Sequence, residues 1–159
     1  MVVLLMGVSG AGKTTVGKLL ASQLGWEFAD GDDYHSAANV QKMRNGISLT
    51  DADRAPWLES LRALIGGWIA SGKSGVLACS ALKKEYRHRL VVSPEVHVVY
   101  LKVDRAVLRK RLLGRHGHYM KEGMLDSQIA TLEEPEDAVV VDGGRSAEDV
   151  VREIRELLG

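Results

Sequence analysis

The chain has little cysteine, little proline and no net charge. Its single cysteine, Cys79, excludes an intrachain disulfide and suits a reducing compartment. Lys and Arg together number 21, as do Asp and Glu, so no overall field attracts nucleic acid or an anionic membrane. The first apolar run has five residues and no basic segment before it, so we expect neither a signal peptide nor a membrane span. These absences predict a cytoplasmic protein that binds neither nucleic acid nor a membrane. Its partner is expected to be recognised by a local group of residues rather than by the overall charge.

The length and the lack of internal boundaries predict one domain. A chain of 159 residues can bury a core but is too short for two ordinary domains. No repeat, low-complexity tract or proline-rich linker divides it, so residues 1–159 are expected to fold together. Cys79 ends the apolar run 75–79 and is expected to be a buried strand residue rather than a nucleophile.

Short apolar runs alternate with helical patterns, which is typical of an α/β fold with a parallel sheet covered by helices on both faces. In the helix predicted over 54–71, Asp53 is the expected cap, Pro56 suits the first turn and Gly72 ends it. Trp57 and Trp68 on that helix are expected to pack in the core. The predicted strands are 2–6, 26–29, 75–79, 96–101 and 138–141. The predicted helices lie near 13–24, 36–45, 54–71, 83–92, 104–114, 125–132 and 146–158.

Residues 7–14 read Gly-Val-Ser-Gly-Ala-Gly-Lys-Thr, a phosphate-binding loop that directly follows the first predicted strand. Its glycines let backbone N–H groups turn toward phosphate oxygens, Lys13 reaches the β- and γ-phosphates, and Thr14 is a ligand for Mg²⁺. A helix that begins at Lys13 adds its positive N-terminal end to the site. We therefore predict that a nucleoside triphosphate binds at Gly7, Ser9, Gly10, Ala11, Gly12, Lys13, Thr14 and Thr15.

A phosphate loop alone does not separate kinases from GTPase switches. The asparagines of the chain, Asn39 and Asn45, are not followed by lysine, so the guanine-reading element Asn-Lys-x-Asp is missing. This absence excludes a switch GTPase.

Carboxylates follow the second predicted strand, and the carboxyl ends of parallel strands face one crevice. Phosphoryl transfer to an alcohol needs a group that positions the hydroxyl and accepts its proton, which we assign to Asp32. Strand alternation predicts that Asp30 points the same way, and we assign it to the water shell of Mg²⁺. Gly31 is expected to give the backbone room to turn. The alternative is that one of the acids, in particular Asp33, caps the helix that begins near Ser36.

Residues 79–87 read Cys-Ser-Ala-Leu-Lys-Lys-Glu-Tyr-Arg, the most diagnostic of several motifs that are spread over essentially the whole chain. Together these motifs resemble the gluconokinase family. The resemblance implies an enzyme that uses ATP and Mg²⁺ to phosphorylate the 6-hydroxyl of D-gluconate. It also implies a P-loop kinase fold, a three-layer α/β/α sandwich with a five-stranded parallel sheet in the order 2-3-1-4-5, a short lid and a homodimer. The other matching blocks are 30–35, 39–43, 51–58, 117–120, 127–128 and 132–135.

A polyol acid needs a cation for its carboxylate and polar groups for its hydroxyls, because buried unpaired groups are costly. Arg54, Lys83 and Arg87 are the candidate cations, and arginine offers the bidentate fork that carboxylates suit. The alternative is a solvated basic helix face, which we prefer for Lys84 and Arg89. A structural role remains open for His35. The other candidate contacts to the substrate are His35, His118 and Gln128.

Positive charge is concentrated at 105–121, around the sequence Gly-Arg-His-Gly-His. Its glycines do not suit a stable helix. By similarity to related kinases we expect a lid at about 115–124 that closes over ATP and excludes water. Arg111 and Arg115 are assigned to ATP, one near the adenine or α-phosphate and the other near the γ-phosphate, in an order that is left open. A plain surface helix is the alternative for Arg105, Arg109 and Lys110.

Two other functions stay open at this point. A related kinase could act on shikimate or a nucleoside monophosphate, but Ser80-Ala81-Leu82-Lys83 stands where a glycine-rich run would favour shikimate. A non-catalytic nucleotide sensor is the other alternative. Asp30 and Asp32 argue against it, because a sensor needs no base.

Overall fold

Five parallel strands form one sheet in the order β2-β3-β1-β4-β5 in the computed structural model, which describes residues 1–113 and 122–159. This order and the α/β class confirm the predicted fold. Every predicted strand is observed, with ends that differ from the prediction by at most one residue. The strands are β1 (Val2–Met6), β2 (Glu27–Asp30), β3 (Gly75–Ala78), β4 (Val96–Lys102) and β5 (Val139–Asp142).

Helices cover both faces of the sheet, and the central strand β1 supplies side chains to both layers. Val3 and Leu5 pack toward one hydrophobic cluster, while Leu4 and Met6 pack toward the other. All of them are fully buried, so β1 is held on both sides and its carboxyl end is a fixed starting point for the loop that follows. The helices are α1 (Lys13–Leu24), α2 (Ala37–Arg44), α3 (Asp51–Ala70), α4 (Lys84–Leu90), α5 (Arg105–Leu113), α6 (Glu122–Thr131) and α7 (Ala147–Leu158), with a short 3₁₀ helix at Gly31–Tyr34.

The start of α3 differs from the prediction. Thr50 is the N-cap and forms a capping box with Asp53, so the helix begins at Asp51 and Asp53 is not the cap. Pro56 consequently lies inside the helix rather than in its first turn. The predicted end is confirmed, because Gly72 has a φ of +68° and donates to the carbonyl of Ile69.

Cys79 follows β3 and is buried, with 2% of its surface exposed. The predicted burial is confirmed, although Cys79 lies just after β3 rather than in it, and burial raises the pKa of its thiol to about 12, which disfavours the nucleophilic thiolate. In the described part of the chain, no helix combines the length and the apolar character that crossing a bilayer requires.

Candidate active site

The loop between β1 and α1 has the geometry of a phosphate cradle. Gly10 and Gly12 have φ values of +88° and +95°, which only glycine adopts readily. Gly12 is the N-cap of α1, so the helix opens at Lys13 as predicted. The Lys13 ammonium donates to the carbonyls of Gly7 (2.9 Å) and Val8 (3.0 Å). The cation and the positive helix end therefore lie beside one loop, an arrangement that suits a phosphate.

Asp30 ends β2 and faces the first turn of α1. Its Oδ2 accepts a hydrogen bond of 2.7 Å from the Thr14 hydroxyl, and its Oδ1 accepts one of 3.0 Å from the backbone N–H of Asp32. The latter bond makes Asp30 the cap of the 3₁₀ helix. The alternative that Asp33 caps the next helix is wrong, because the hydroxyl of Ser36 caps α2.

The strand-alternation argument for Asp32 is also wrong, because Asp32 lies in the 3₁₀ helix rather than in β2. Gly31 has a different role from the predicted one. A Cβ at this position would lie 3.1 Å from the carbonyl oxygen of Ala78 and 3.3 Å from the Cβ of Cys79. Glycine at position 31 therefore allows the chain to pack closely against the end of β3. This packing fixes the position of the backbone that carries Asp32.

A polar cleft lies next to the phosphate loop, walled by the 3₁₀ helix, α3, the loop after β3 and α6. It brings together residues that are far apart in the sequence. The predicted site residues that line it are Ser9, Lys13, Asp32, His35, Arg54 and Gln128.

Arg54 lies near the start of α3 and is anchored by its Nη1, which donates to the carbonyl of Leu49 (3.0 Å) and the hydroxyl of Tyr86 (3.1 Å). Its guanidinium carbon lies 5.5 Å from the centre of the Tyr86 ring. Tyr86 in turn donates to Asp51, which also accepts a 3.0 Å hydrogen bond from Lys83. This bond raises the pKa of Lys83. The structure thus places Arg54 in the cleft and Lys83 behind it.

Arg87 is not brought into the cleft. Its guanidinium is buried and donates to the carbonyls of Ala81 (2.9 Å), Leu82 (3.1 Å) and Glu133 (2.7 Å). Ala81 has a left-handed φ of +43°, a costly conformation for a residue with a Cβ. Arg87 therefore holds the loop between β3 and α4 against the chain that follows α6. The candidate role of Arg87 at the substrate carboxylate is withdrawn for this reason.

Two contacts in the cleft were missed at the sequence level. Trp57 is buried as predicted, but its ring also stacks on His35 with centroids 4.3 Å apart and an angle of 12° between the planes. The hydroxyls of Ser48 and Ser127 lie 2.9 Å apart and connect the chain before α3 to α6. No local periodicity signals either contact. On α6, Gln128 accepts a 2.7 Å hydrogen bond from the backbone N–H of Ser9, so its amide lies at the phosphate loop.

Arg111, on α5, borders a second cavity that also contains Thr15 and Arg145. Its guanidinium donates to the carbonyls of Gly10 and Gly143, both at 2.8 Å. The predicted lid residues Arg115 and His118 lie outside the described residues. Of the predicted lid, residues 122–124 belong to α6.

Similarity to known proteins decides the family. A family model described as an AAA domain matches residues 2–135. A gluconokinase of Gluconobacter oxydans (strain 621H) is 46% identical over 151 residues, which cover 93% of this chain and 85% of that protein. The chain belongs to the gluconokinase family. It is therefore a kinase with a P-loop for its nucleotide, as the motifs predicted.

Solved structures of similar proteins agree with this family assignment. A gluconokinase from Sinorhizobium meliloti 1021 superimposes with a TM-score of 0.82 at 41% identity, over 95% of this chain and 87% of that one. An unliganded sugar kinase from Janibacter sp. HTCC2649 gives a TM-score of 0.91 at 40% identity, over 99% of this chain and 93% of that one. The gluconokinase family thus accounts for both the strand order and the motifs.

Proposed function

We propose that this kinase transfers the γ-phosphoryl group of ATP to the 6-hydroxyl of D-gluconate, giving 6-phospho-D-gluconate and ADP. The observation that carries the proposal is the cleft in which Lys13, Asp32 and Arg54 meet beside the phosphate loop. A phosphate-binding cation, a proton acceptor and a cation for a carboxylate are the three groups that this reaction needs. Relatives named as gluconokinases support the choice of substrate.

At the nucleotide end, the loop amides and Lys13 bind the phosphates. Thr14 and Asp30 supply hydroxyl and carboxylate oxygens, the ligand types that Mg²⁺ prefers, so they fit the metal, with Asp30 acting through water. When bound, Mg²⁺ neutralises charge on the β- and γ-phosphate oxygens. The position of Arg111 in the second cavity, beside Thr15, favours the adenine or α-phosphate end. This leaves the γ-phosphate to Arg115.

At the acceptor end, Asp32 positions the 6-hydroxyl and takes its proton as the new O–P bond forms and the bond to ADP breaks. Arg54 pairs with the carboxylate of gluconate. Its Nη1 is used by Leu49 and Tyr86, and no described residue accepts a hydrogen bond from its Nη2, which is therefore available to the substrate. His35, His118 and Gln128 are assigned to the hydroxyls. Lys83 acts behind Arg54, since it holds Asp51, the partner of Tyr86.

The remaining features follow from the family resemblance. We propose that residues 1–159 act as one domain with a lid at about 115–124, and that the enzyme is a cytoplasmic homodimer whose partner is a small molecule. Light scattering during size-exclusion chromatography measures the mass in solution. A monomer at working concentration would contradict the dimer.

A coupled assay of ADP release tests the reaction. It compares gluconate, glucose, shikimate, nucleoside monophosphates and no acceptor, with Lys13→Ala as the inactive control. We expect release that depends on gluconate, and a loss of about 10²-fold or more in Lys13→Ala, because a charge stabiliser of this kind contributes roughly 3 kcal/mol. Release that ignores the acceptor would indicate a sensor or an ATPase, and faster release with shikimate would indicate a different kinase.

A further inference from the structure

His35 is held in one orientation by the residues around it. It ends the 3₁₀ helix, and its ring stacks face to face on Trp57. The indole of Trp57 is itself fixed, because its Nε1 donates a buried 2.7 Å hydrogen bond to the carbonyl of Gly31. The imidazole therefore has a defined plane at the cleft. What remains to be set is which of its two nitrogens carries the proton.

Asn39 sets that choice. Its side chain is buried, and its Nδ2 lies 2.9 Å from the carbonyl oxygen of Asp53 and 3.3 Å from Nδ1 of His35. A carbonyl oxygen only accepts hydrogen bonds, so the amide atom facing Asp53 must be the nitrogen, which only donates. The same nitrogen faces the imidazole, so Nδ1 of His35 must be the acceptor. A neutral imidazole whose Nδ1 accepts carries its proton on Nε2.

We propose that Asn39 is a positioning residue that fixes His35 as the Nε2–H tautomer, so that His35 donates a hydrogen bond to a hydroxyl oxygen of the acceptor. The proposal rests on the proposed function, since it assigns His35 to the same polyol substrate. Asp32 and His35 then have different roles in the cleft. Asp32 accepts a proton from the substrate, whereas His35 gives a hydrogen bond and is not a second base. A hydroxyl group, which both donates and accepts, matches this pair.

The charged groups that face His35 agree with a neutral ring. Burial lowers its pKa, Asp32 on the 3₁₀ helix raises it, and Arg54 on α3 lowers it. Burial is the largest of these effects, so the ring stays uncharged at neutral pH. An uncharged ring with an assigned tautomer has a fixed acceptor, Nδ1, which Asn39 occupies, and a fixed donor, Nε2–H, which is left for the substrate.

The tautomer can be measured directly by ¹⁵N NMR of the full chain without ligand. We expect Nδ1 of His35 to show the shift of an unprotonated nitrogen and Nε2 that of a protonated one. In Asn39→Ala, Nδ1 loses its donor and the two tautomers should mix. Asn45→Ala is the matched control, because Asn45 is an exposed amide just beyond the same helix and should change nothing. A proton on Nδ1 in the unaltered protein would overturn the proposal, and so would a tautomer that Asn39→Ala leaves unchanged.

A double-mutant cycle tests the consequence for the substrate. Asn39→Ala should raise KM for gluconate about tenfold, since the loss of one ordinary hydrogen bond corresponds to roughly that factor. In a His35→Gln background, the glutamine amide can donate a hydrogen bond whether or not Asn39 is present. Asn39→Ala should therefore change KM for gluconate by less than about twofold in that background. An equal penalty in both backgrounds would mean that Asn39 only supports the fold, and the proposal would be wrong.

The two proposals fail in different ways. If the unaltered protein does not phosphorylate gluconate, the proposed substrate is wrong. The NMR measurement still decides independently which nitrogen of His35 carries the proton. Because Asn39 is buried, Asn39→Ala can fail to fold. The tautomer of the unaltered protein then decides the question without any variant.

Discussion

Thr14 and Asp30 are joined by a 2.7 Å hydrogen bond between the first turn of α1 and the end of β2. This bond places a carboxylate next to the hydroxyl that we assign to Mg²⁺. Asp30→Asn removes the charge but keeps the shape of the side chain. It should therefore weaken the binding of Mg²⁺ rather than the binding of the acceptor. We expect the Mg²⁺ concentration for half-maximal activity to rise by about 10–100-fold, the usual effect of losing an outer-sphere partner. Asp33→Asn, an exposed neighbour, is the control, and an unchanged Mg²⁺ dependence in Asp30→Asn would remove Asp30 from the metal site.

Asp32→Asn tests the proton acceptor. The substitution preserves size and hydrogen-bonding shape but removes the base, so kcat for gluconate should fall by about 10²–10⁴-fold. ATP affinity, measured by calorimetry, should persist. If ATP affinity collapses instead, Asp32 belongs to the metal site and Asp30 becomes the better candidate for the base.

Arg54→Met tests the carboxylate contact. Loss of a charge-assisted hydrogen bond, about 1.5–3 kcal/mol, should raise KM for gluconate and narrow its advantage over glucose, which has no carboxylate. Lys83→Met removes a cation behind the cleft and should narrow that advantage less. Kinetics with both acceptors decide the matter, because equal losses for gluconate and glucose in Arg54→Met would assign Arg54 a structural role.

His35 should make stability depend on pH. Its pKa in the folded state lies below the ordinary value of 6.5, so the unfolded chain takes up a proton first as the pH falls. The contribution of His35 to the free energy of unfolding is complete above pH 6.5 and is lost as the pH falls from there through the lowered pKa. Urea unfolding across this range should show a shallower pH dependence in His35→Gln than in the unaltered protein. Parallel curves would argue against a half-buried, neutral His35.

Much of the fold could be predicted from the sequence because its signals are local. The five strands are short apolar runs, and the phosphate loop is contiguous, so the sequence predicts β1 and the start of α1 at Lys13 as they are observed. The position of Arg87 outside the cleft could not be predicted, because its partners include Glu133, which is 46 positions away and which no periodicity connects to it. The stacking of Trp57 on His35 could not be predicted for the same reason, because no periodicity connects these two residues either. The start of α3 was misplaced for a different reason, since Asp53 and Thr50 are both good caps and the capping box uses both.

The buried thiol of Cys79 has a practical consequence. Alkylating reagents attack the thiolate, and a pKa of about 12 leaves almost none of it at neutral pH. The side chain also lies directly before Ser80, in the loop that forms one wall of the cleft. Iodoacetamide should therefore label the native enzyme slowly, at a rate set by how often this wall opens. Because the chain has a single cysteine, the increase in protein mass with time reports only on Cys79. Its rate therefore measures how often the structure opens locally on the acceptor side of the cleft.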